Sequence, residues 1–318
     1  MLLESPTALS TPAAEPSSHT KRQISPSAYR SAISLLKRLI HGVAKQVVSR
    51  DIFWKPLAGS IIRGSQFLCS VRDNCDVEKI VRNTPALNAI LAKHHVVTGP
   101  FEGLDYDGTR SFCSTFYPKL LGTYEHELES AINSALHEPF GLVVDVGAAD
   151  GYYAVGFAFK NRQARVIAYE QDPRARIELK NLATINGVSD RVSIRGRCDT
   201  DDLLQLPADR GLMIVDCEGF EEFLLTAHAI SHLNQWDFII ETHDGYDPEI
   251  TNRLSDRFAA THRVERIEAI HDLNKADHVQ IPLLKGIPRR NIDKLLAENR
   301  QHACLRWIVC HSRSGESR

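Results

Sequence analysis

The stretch Leu142-Val143-Val144-Asp145-Val146-Gly147-Ala148-Ala149-Asp150-Gly151-Tyr152 constrains this chain more than any other. An apolar run stops at a turn of small residues and restarts as a helical pattern. A strand that delivers an acid and two glycines to a helix N-terminus lets backbone N–H groups come close to a ligand that side chains would otherwise block. The expectation is a nucleotide-binding strand, loop and helix.

The rest of the chain reads as support for that turn. From Gly141 onward strand and helix patterns alternate. Strands are expected over Leu142 to Val146, Arg165 to Glu170, Arg191 to Gly196, Leu212 to Asp216, Trp236 to Glu241, Arg263 to Ile267 and Cys304 to Cys310. Helices are expected over Pro173 to Ile185, stopped by Asn186-Gly187, over Glu221 to Ala227 and over Asn291 to Asn299. Such alternation implies an α/β fold, a doubly wound, Rossmann-like sheet of mostly parallel strands, with ligands at the carboxyl ends of the strands. The last strand is expected to close the sheet.

Residues 1–26 are rich in Ser, Thr, Pro and Ala and read as a disordered tail. Residues 27–120 read as an α-rich N-terminal extension, and 121–318 as the ligand-binding domain. Within the extension, apolar positions from Tyr29 to Val47 recur at helical spacing with Arg30, Lys37, Arg38 and Lys45 between them. This basic amphipathic helix, over residues 27–48, fits packing on its own domain better than a weak contact with a membrane surface. A short helix over Pro85 to His94, a hairpin over His95 to Tyr106 and a helix over Tyr124 to Leu136 follow.

Bulk charge excludes little but is useful. A net charge of -2 gives no electrostatic reason to expect a nucleic-acid partner. The seven cysteines are odd in number and form no CxxC pair, so neither a disulfide framework nor a structural zinc is expected and a reducing cytoplasm fits. The N-terminus Met1-Leu2-Leu3-Glu4-Ser5-Pro6 has no basic start and no uninterrupted apolar region, which does not predict secretion.

The loop residues discriminate between ligands. A dinucleotide fingerprint wants G-x-G-x-x-G, whereas here the spacing is Gly147-x-x-x-Gly151, with Asp145 before the loop and Asp150 inside it. Two acids suit a pyrophosphate poorly and a cation well, and S-adenosylmethionine carries a sulfonium and an ammonium. Glu170, ending the second strand, is placed to accept both ribose hydroxyls, a feature an NAD site would share. Asp199 stands where an adenine amino group needs an acceptor, and equally where a helix needs an N-cap. The fourth and fifth strands bring Asp216, Glu218, Glu241 and His243 to the same sheet edge, where they can orient a nucleophile or take its proton.

Taken together, Gly122-Thr123-Tyr124-Glu125, Asp145-Val146-Gly147-Ala148-x-x-Gly151-Tyr152, Asp216-Cys217-Glu218-Gly219-Phe220-Glu221 and Glu241-x-His243 resemble the class I S-adenosylmethionine-dependent methyltransferases of the FkbM type. The resemblance runs from about Leu121 to Ala259 and departs at Ala149-Asp150, where such proteins commonly have Asn and an aliphatic residue. It implies a seven-stranded sheet with an antiparallel last strand, and O-methylation of a sugar or another small molecule. Asp145, Gly147 and Gly151 are then expected to frame the methionine moiety, with Ala148 and Tyr152 of the same turn among the cofactor contacts. Glu170 holds the ribose, Asp199 reads the adenine, Asp216 is both a cofactor contact and a candidate for the acceptor hydroxyl, and Glu218 or His243 serves that hydroxyl as well.

Two rivals stay open at this level: a non-catalytic binding module docked through its basic helix, and an NAD-dependent enzyme. No metal is assigned, although Asp216, Glu218, Glu241 and His243 form a secondary candidate for an oxygen-rich Mg²⁺ site. Methylation of a nucleic acid is disfavoured, because the fourth strand ends Asp216-Cys217-Glu218-Gly219 rather than in an Asn/Asp-Pro-Pro-aromatic element. The expected partner is a small-molecule or carbohydrate acceptor.

Overall fold

The computed structural model describes residues 75–111, 115–245, 247–298 and 305–315. All of them fall in one compact unit, Cys69–Arg318. The expected tail 1–26 and basic helix 27–48 lie outside the described residues.

Seven strands form one sheet: β1 Leu142–Val146, β2 Arg165–Tyr169, β3 Val192–Arg195, β4 Leu212–Val215, β5 Asp237–His243, β6 His262–Glu268 and β7 Leu305–Ser312. Their order is β3-β2-β1-β4-β5-β7-β6. The first five pair in parallel, whereas β7 runs antiparallel to both β5 and β6. The last strand therefore does not close an edge. It inserts between β5 and β6, pairing Glu241 with Trp307 on one side and Ile267 with Trp307 on the other.

Strand alternation divides the interior into two cores, one on each face of the sheet. Val143, Leu212, Ile214 and Ile239 point to one face. There they meet Ala154 and Phe157 of the helix Tyr152–Lys160 and Leu179 and Leu182 of the helix Pro173–Ile185. Val144, Met213, Val215 and Ile240 point to the other, against Leu224, Ile230, Leu254 and Phe258. The central strands are apolar on both faces because both faces are covered.

The segment expected as an N-terminal extension packs into the first of these cores. Leu87 and Leu91 of the helix Pro85–Leu91 and Phe101, Leu104 and Tyr106 are buried with Phe157 and Ala158. The expected hairpin over 95–106 is reduced to a single antiparallel bridge between His95 and Asp105, bent by turns at Gly99 and Gly103. The expected helix over 124–136 is a short 3-10 turn, His126–Leu128, followed by the helix Glu129–His137.

Candidate functional site

A cleft of about 500 Å³ opens at the carboxyl ends of β1, β2 and β4. Strand order reverses between β1 and β4, and an open α/β sheet leaves its ligand crevice at such a switch point. Among the residues expected to bind a cofactor, Asp145, Gly147, Ala148, Tyr152, Glu170 and Asp216 line this cleft.

The turn after β1 is held on three sides. Gly147 has φ +86°, and a Cβ there would come within 1.6 Å of the Asp216 carbonyl oxygen, so the turn abuts the end of β4 through a position only glycine fills. The N–H groups of Gly147 and Ala148 both donate to the Tyr169 carbonyl. Ala149, itself at φ +46°, donates its N–H to Glu170 Oε2 at 2.9 Å. The Asp172 N–H donates to the other oxygen, Glu170 Oε1, at 2.7 Å, so the carboxylate is fixed in the cleft wall by two backbone amides. Gly151 does not line the cleft. It serves packing, because a Cβ there would meet Leu179 Cγ at 2.8 Å.

The two loop acids have different fates. Asp145 is buried and accepts the Ala154 N–H at 2.9 Å, at the start of the helix Tyr152–Lys160. Burial pushes its pKa up to about 8; the Ala154 N–H opposes the rise, and the charges of Asp216, Glu170 and Glu125 add to it. Asp150 is not available to a cationic ligand. Fully buried, it takes Lys119 Nζ on Oδ1 at 2.5 Å and the Tyr106 hydroxyl on Oδ2 at 3.3 Å. The expectation that Asp150 faces a cationic ligand is thus corrected, because Lys119 already neutralises it, while Asp145 lines the cleft.

Of the two places expected of Asp199, it takes the helix N-cap and does not line the cleft. Its carboxylate caps the helix Thr200–Leu204 by accepting the N–H groups of Asp201 and Asp202, in a capping box closed by Asp202. The cleft wall at this point is made by Arg197 and Cys198, with Phe220 and Leu224 beside them. The Arg197 guanidinium lies over the Phe220 ring, 4.7 Å from its centroid. Either a flat apolar ring or a π-face can rest on such a pair.

At the other end of the cleft Asp216 and Glu218 line the wall, and Glu241 and His243 are buried at the end of β5. His243 Nδ1 lies 2.9 Å from Glu221 Oε1. Burial opposes a charged imidazole, yet the bond to Glu221 and the charges of Glu221, Asp216 and Glu218 outweigh it and raise the His243 pKa. Burial likewise works against an ionised Glu221, but His243 and the Gly219 N–H hold its carboxyl below the usual range. Glu218, at φ +59°, is turned out of the chain direction just before Gly219. Burial, with the charges of Glu221 and Asp216, pushes the Cys217 thiol well up, which disfavours the thiolate form.

Sequence reasoning missed the aromatic and basic wall beside the loop. Lys119, Tyr124 and Tyr153 also line the cleft. Lys119 Nζ sits 5.0 Å from the Tyr124 ring centroid and 5.6 Å from that of Tyr152. The Tyr153 hydroxyl donates to Glu125, and burial together with the Glu125 charge keeps it protonated. The available signal was a lone lysine within Phe116-Tyr117-Pro118-Lys119-Leu120-Leu121, directly before Gly122-Thr123-Tyr124-Glu125.

No protein-family model and no curated protein matches the chain. Solved structures do. The O-methyltransferase TomG from Streptomyces achromogenes, in complex with SAM, is 10% identical, with 60% of this chain and 81% of that one covered at a TM-score of 0.41. A SAM-dependent methyltransferase from Geobacter sulfurreducens, in complex with S-adenosyl-L-homocysteine, is 15% identical, with coverages of 58% and 89% and a TM-score of 0.36. The C-terminal domain of precorrin-6Y C5,15-methyltransferase from Rhodobacter capsulatus is 14% identical, with coverages of 57% and 85% and a TM-score of 0.36. The likeness is one of fold; what this chain binds has to be read from its own residues. Among the described residues, no helix is long and apolar enough to cross a membrane.

Proposed function

We propose that the chain is an S-adenosylmethionine-dependent methyltransferase of the FkbM type, acting on a hydroxyl of a small molecule or sugar. The observation that carries this is the set of carboxyl groups around the cleft at the switch point. Asp145, Glu170 and Asp216 stand at the ends of three adjacent strands, and Asp145 already occupies the N-terminus of the helix Tyr152–Lys160 by accepting the Ala154 N–H. A dinucleotide needs that helix end for its pyrophosphate, but Asp145 already takes the Ala154 N–H there and Asp216 stands beside it, whereas Glu170 would serve either ligand. A ligand with a sulfonium and an ammonium is the complement of Asp145 and Asp216.

The fit is specific at several points. The glycine cradle at Gly147 gives close backbone approach, Glu170 is prepositioned for a ribose diol, and Arg197, Cys198, Phe220 and Leu224 form a wall suited to an adenine. Bound there, the cofactor supplies an activated methyl group for displacement at carbon. The chain's own work is then to exclude water, align the acceptor oxygen and receive its proton. Alignment is worth roughly 7–11 kcal/mol of barrier, while a general base contributes about 10²- to 10⁴-fold. Positioning residues therefore matter more than the base, a role that Asp216, Glu218 and His243 share at the acceptor end.

The test is incubation of the full chain with methyl-labelled S-adenosylmethionine and fractionated cell extract. Label transferred to the small-molecule fraction supports the proposal. Label confined to protein or nucleic acid, or no transfer at all, counts against it.

A further inference from the structure

Around His243 the structure gathers four carboxylates, those of Asp216, Glu218, Glu221 and Glu241. Nδ1 is at hydrogen-bond distance from Glu221, 2.9 Å. Nε2, on the other side of the ring, is 3.6 Å from Asp216 Oδ1, 3.6 Å from Glu218 Oε2 and 4.0 Å from Glu241 Oε2. A hydrogen bond would place these atoms about 2.7–3.2 Å apart. The spacings are those of loose ion pairs and also match ligands that share an ion, since donors about 2.1 Å from a common centre stand roughly 3.0–4.2 Å from one another. One ligand atom from each of Asp216, Glu241 and His243 lies within 4.8 Å of the others.

The sheet explains why these three meet. The parallel register sets Val215 beside Ile240, so Asp216 follows next to Glu241. Glu241 and His243 are two apart on β5 and share a face. Asp216 Oδ1 is buried with no hydrogen-bond partner among the described residues, and His243 Nε2 stands beyond hydrogen-bond reach of it.

An independent feature lies behind the ring. Glu221 is fully buried, and its Oε1 accepts the N–H groups of Cys217 and Gly219 at 3.2 and 3.0 Å while it also faces His243 Nδ1. A fixed carboxylate behind an imidazole is the arrangement that orients a metal-ligating histidine, holding a proton on one ring nitrogen and turning the other out as a donor.

We propose that Asp216, Glu241 and His243 bind a divalent transition-metal ion, with Glu218 at the open side. Two carboxylates and one imidazole suit Mn²⁺ or Zn²⁺ better than Mg²⁺, which favours an all-oxygen octahedron. Asp216 and Glu218 also line the cleft, so the site faces the acceptor end, where an ion would anchor an acceptor oxygen and lower its pKa. That use of the ion rests on the methyltransferase reading; its binding does not.

The test is titration of the chelator-stripped full chain with MnCl₂, with free Mn²⁺ followed by electron paramagnetic resonance, beside a thermal shift with S-adenosylhomocysteine on the same samples. The expected result is one Mn²⁺ per chain, with Glu221→Gln weakening it about 10- to 100-fold and His243→Gln at least as much. Circular dichroism and a retained S-adenosylhomocysteine shift show that the variants are folded. If neither Mn²⁺ nor Zn²⁺ binds at about 1 mM while S-adenosylhomocysteine still raises the melting temperature, the ion site is overturned and the cofactor reading stands. Mn²⁺ binding without any S-adenosylhomocysteine shift supports the ion site and sinks the cofactor reading. A folded Glu241→Gln variant that binds Mn²⁺ as well as the parent also overturns the assignment.

Discussion

The carbonyl oxygen of Asp216 occupies the space in which a Cβ on Gly147 would stand, 1.6 Å from its ideal position. The loop after β1 and the loop after β4 are therefore locked together by backbone, at the point where the cleft opens. Gly147→Ala should separate them, with backbone strain at φ +86° added to the clash. The expected outcome is a loss of about 2 kcal/mol or more of stability and loss of cofactor affinity, read by urea unfolding and calorimetry. Gly141→Ala, where a Cβ meets nothing within 4 Å, is the control and should change neither.

Removing one member of the buried Lys119–Asp150 pair leaves the other charge without its partner. Lys119→Met or Asp150→Asn should each cost about 3–5 kcal/mol in urea unfolding. The double variant should recover much of that loss, since it removes both charges. Additive losses would show that the two residues act separately.

Glu170→Ala deprives the N–H groups of Ala149 and Asp172 of their acceptor and removes the carboxylate from the cleft wall. Affinity for S-adenosylhomocysteine should fall at least about tenfold by calorimetry, as expected for a bidentate diol contact. Unchanged affinity would remove the ribose assignment.

Asp145 makes the protein sensitive to pH. Its pKa in the folded chain is about 8, whereas an unfolded carboxyl titrates near 4, so the folded state binds the proton more tightly. Its contribution to the stability of the ligand-free protein is full below pH of about 4 and is lost as pH rises through about 8. A cationic ligand favours the ionised form. Affinity for S-adenosylmethionine should therefore rise from pH 6 to about 8 with release of a proton, measured by calorimetry in two buffers of different ionisation enthalpy. Asp145→Asn should flatten that profile.

How much of this was legible in the sequence depends on whether the information was local. β1 and the helix Pro173–Ile185 stand at the expected boundaries, because an apolar run ending at Gly147 and an Asp172 N-cap followed by Pro173 are local signals. The insertion of β7 between β5 and β6 was not legible, since strand order depends on pairing between distant segments. β5 runs on to His243, past the expected end at Glu241, because β7 supplies a partner for Thr242 and His243. Glu241 and His243 could be placed on one face by their spacing. The role of Glu221 could not, since an acid in the first turn of a helix has an ordinary explanation, and its contact with His243 exists only once β4 and β5 are side by side.

The most direct measurement is calorimetric titration of the full chain with S-adenosylhomocysteine and, separately, with NAD. Asp145 at the helix N-terminus and Asp216 at the end of β4 predict one S-adenosylhomocysteine site per chain, weakened by Glu170→Ala, and no detectable binding of NAD. Binding of NAD in preference to S-adenosylhomocysteine, or of neither, would contradict the account.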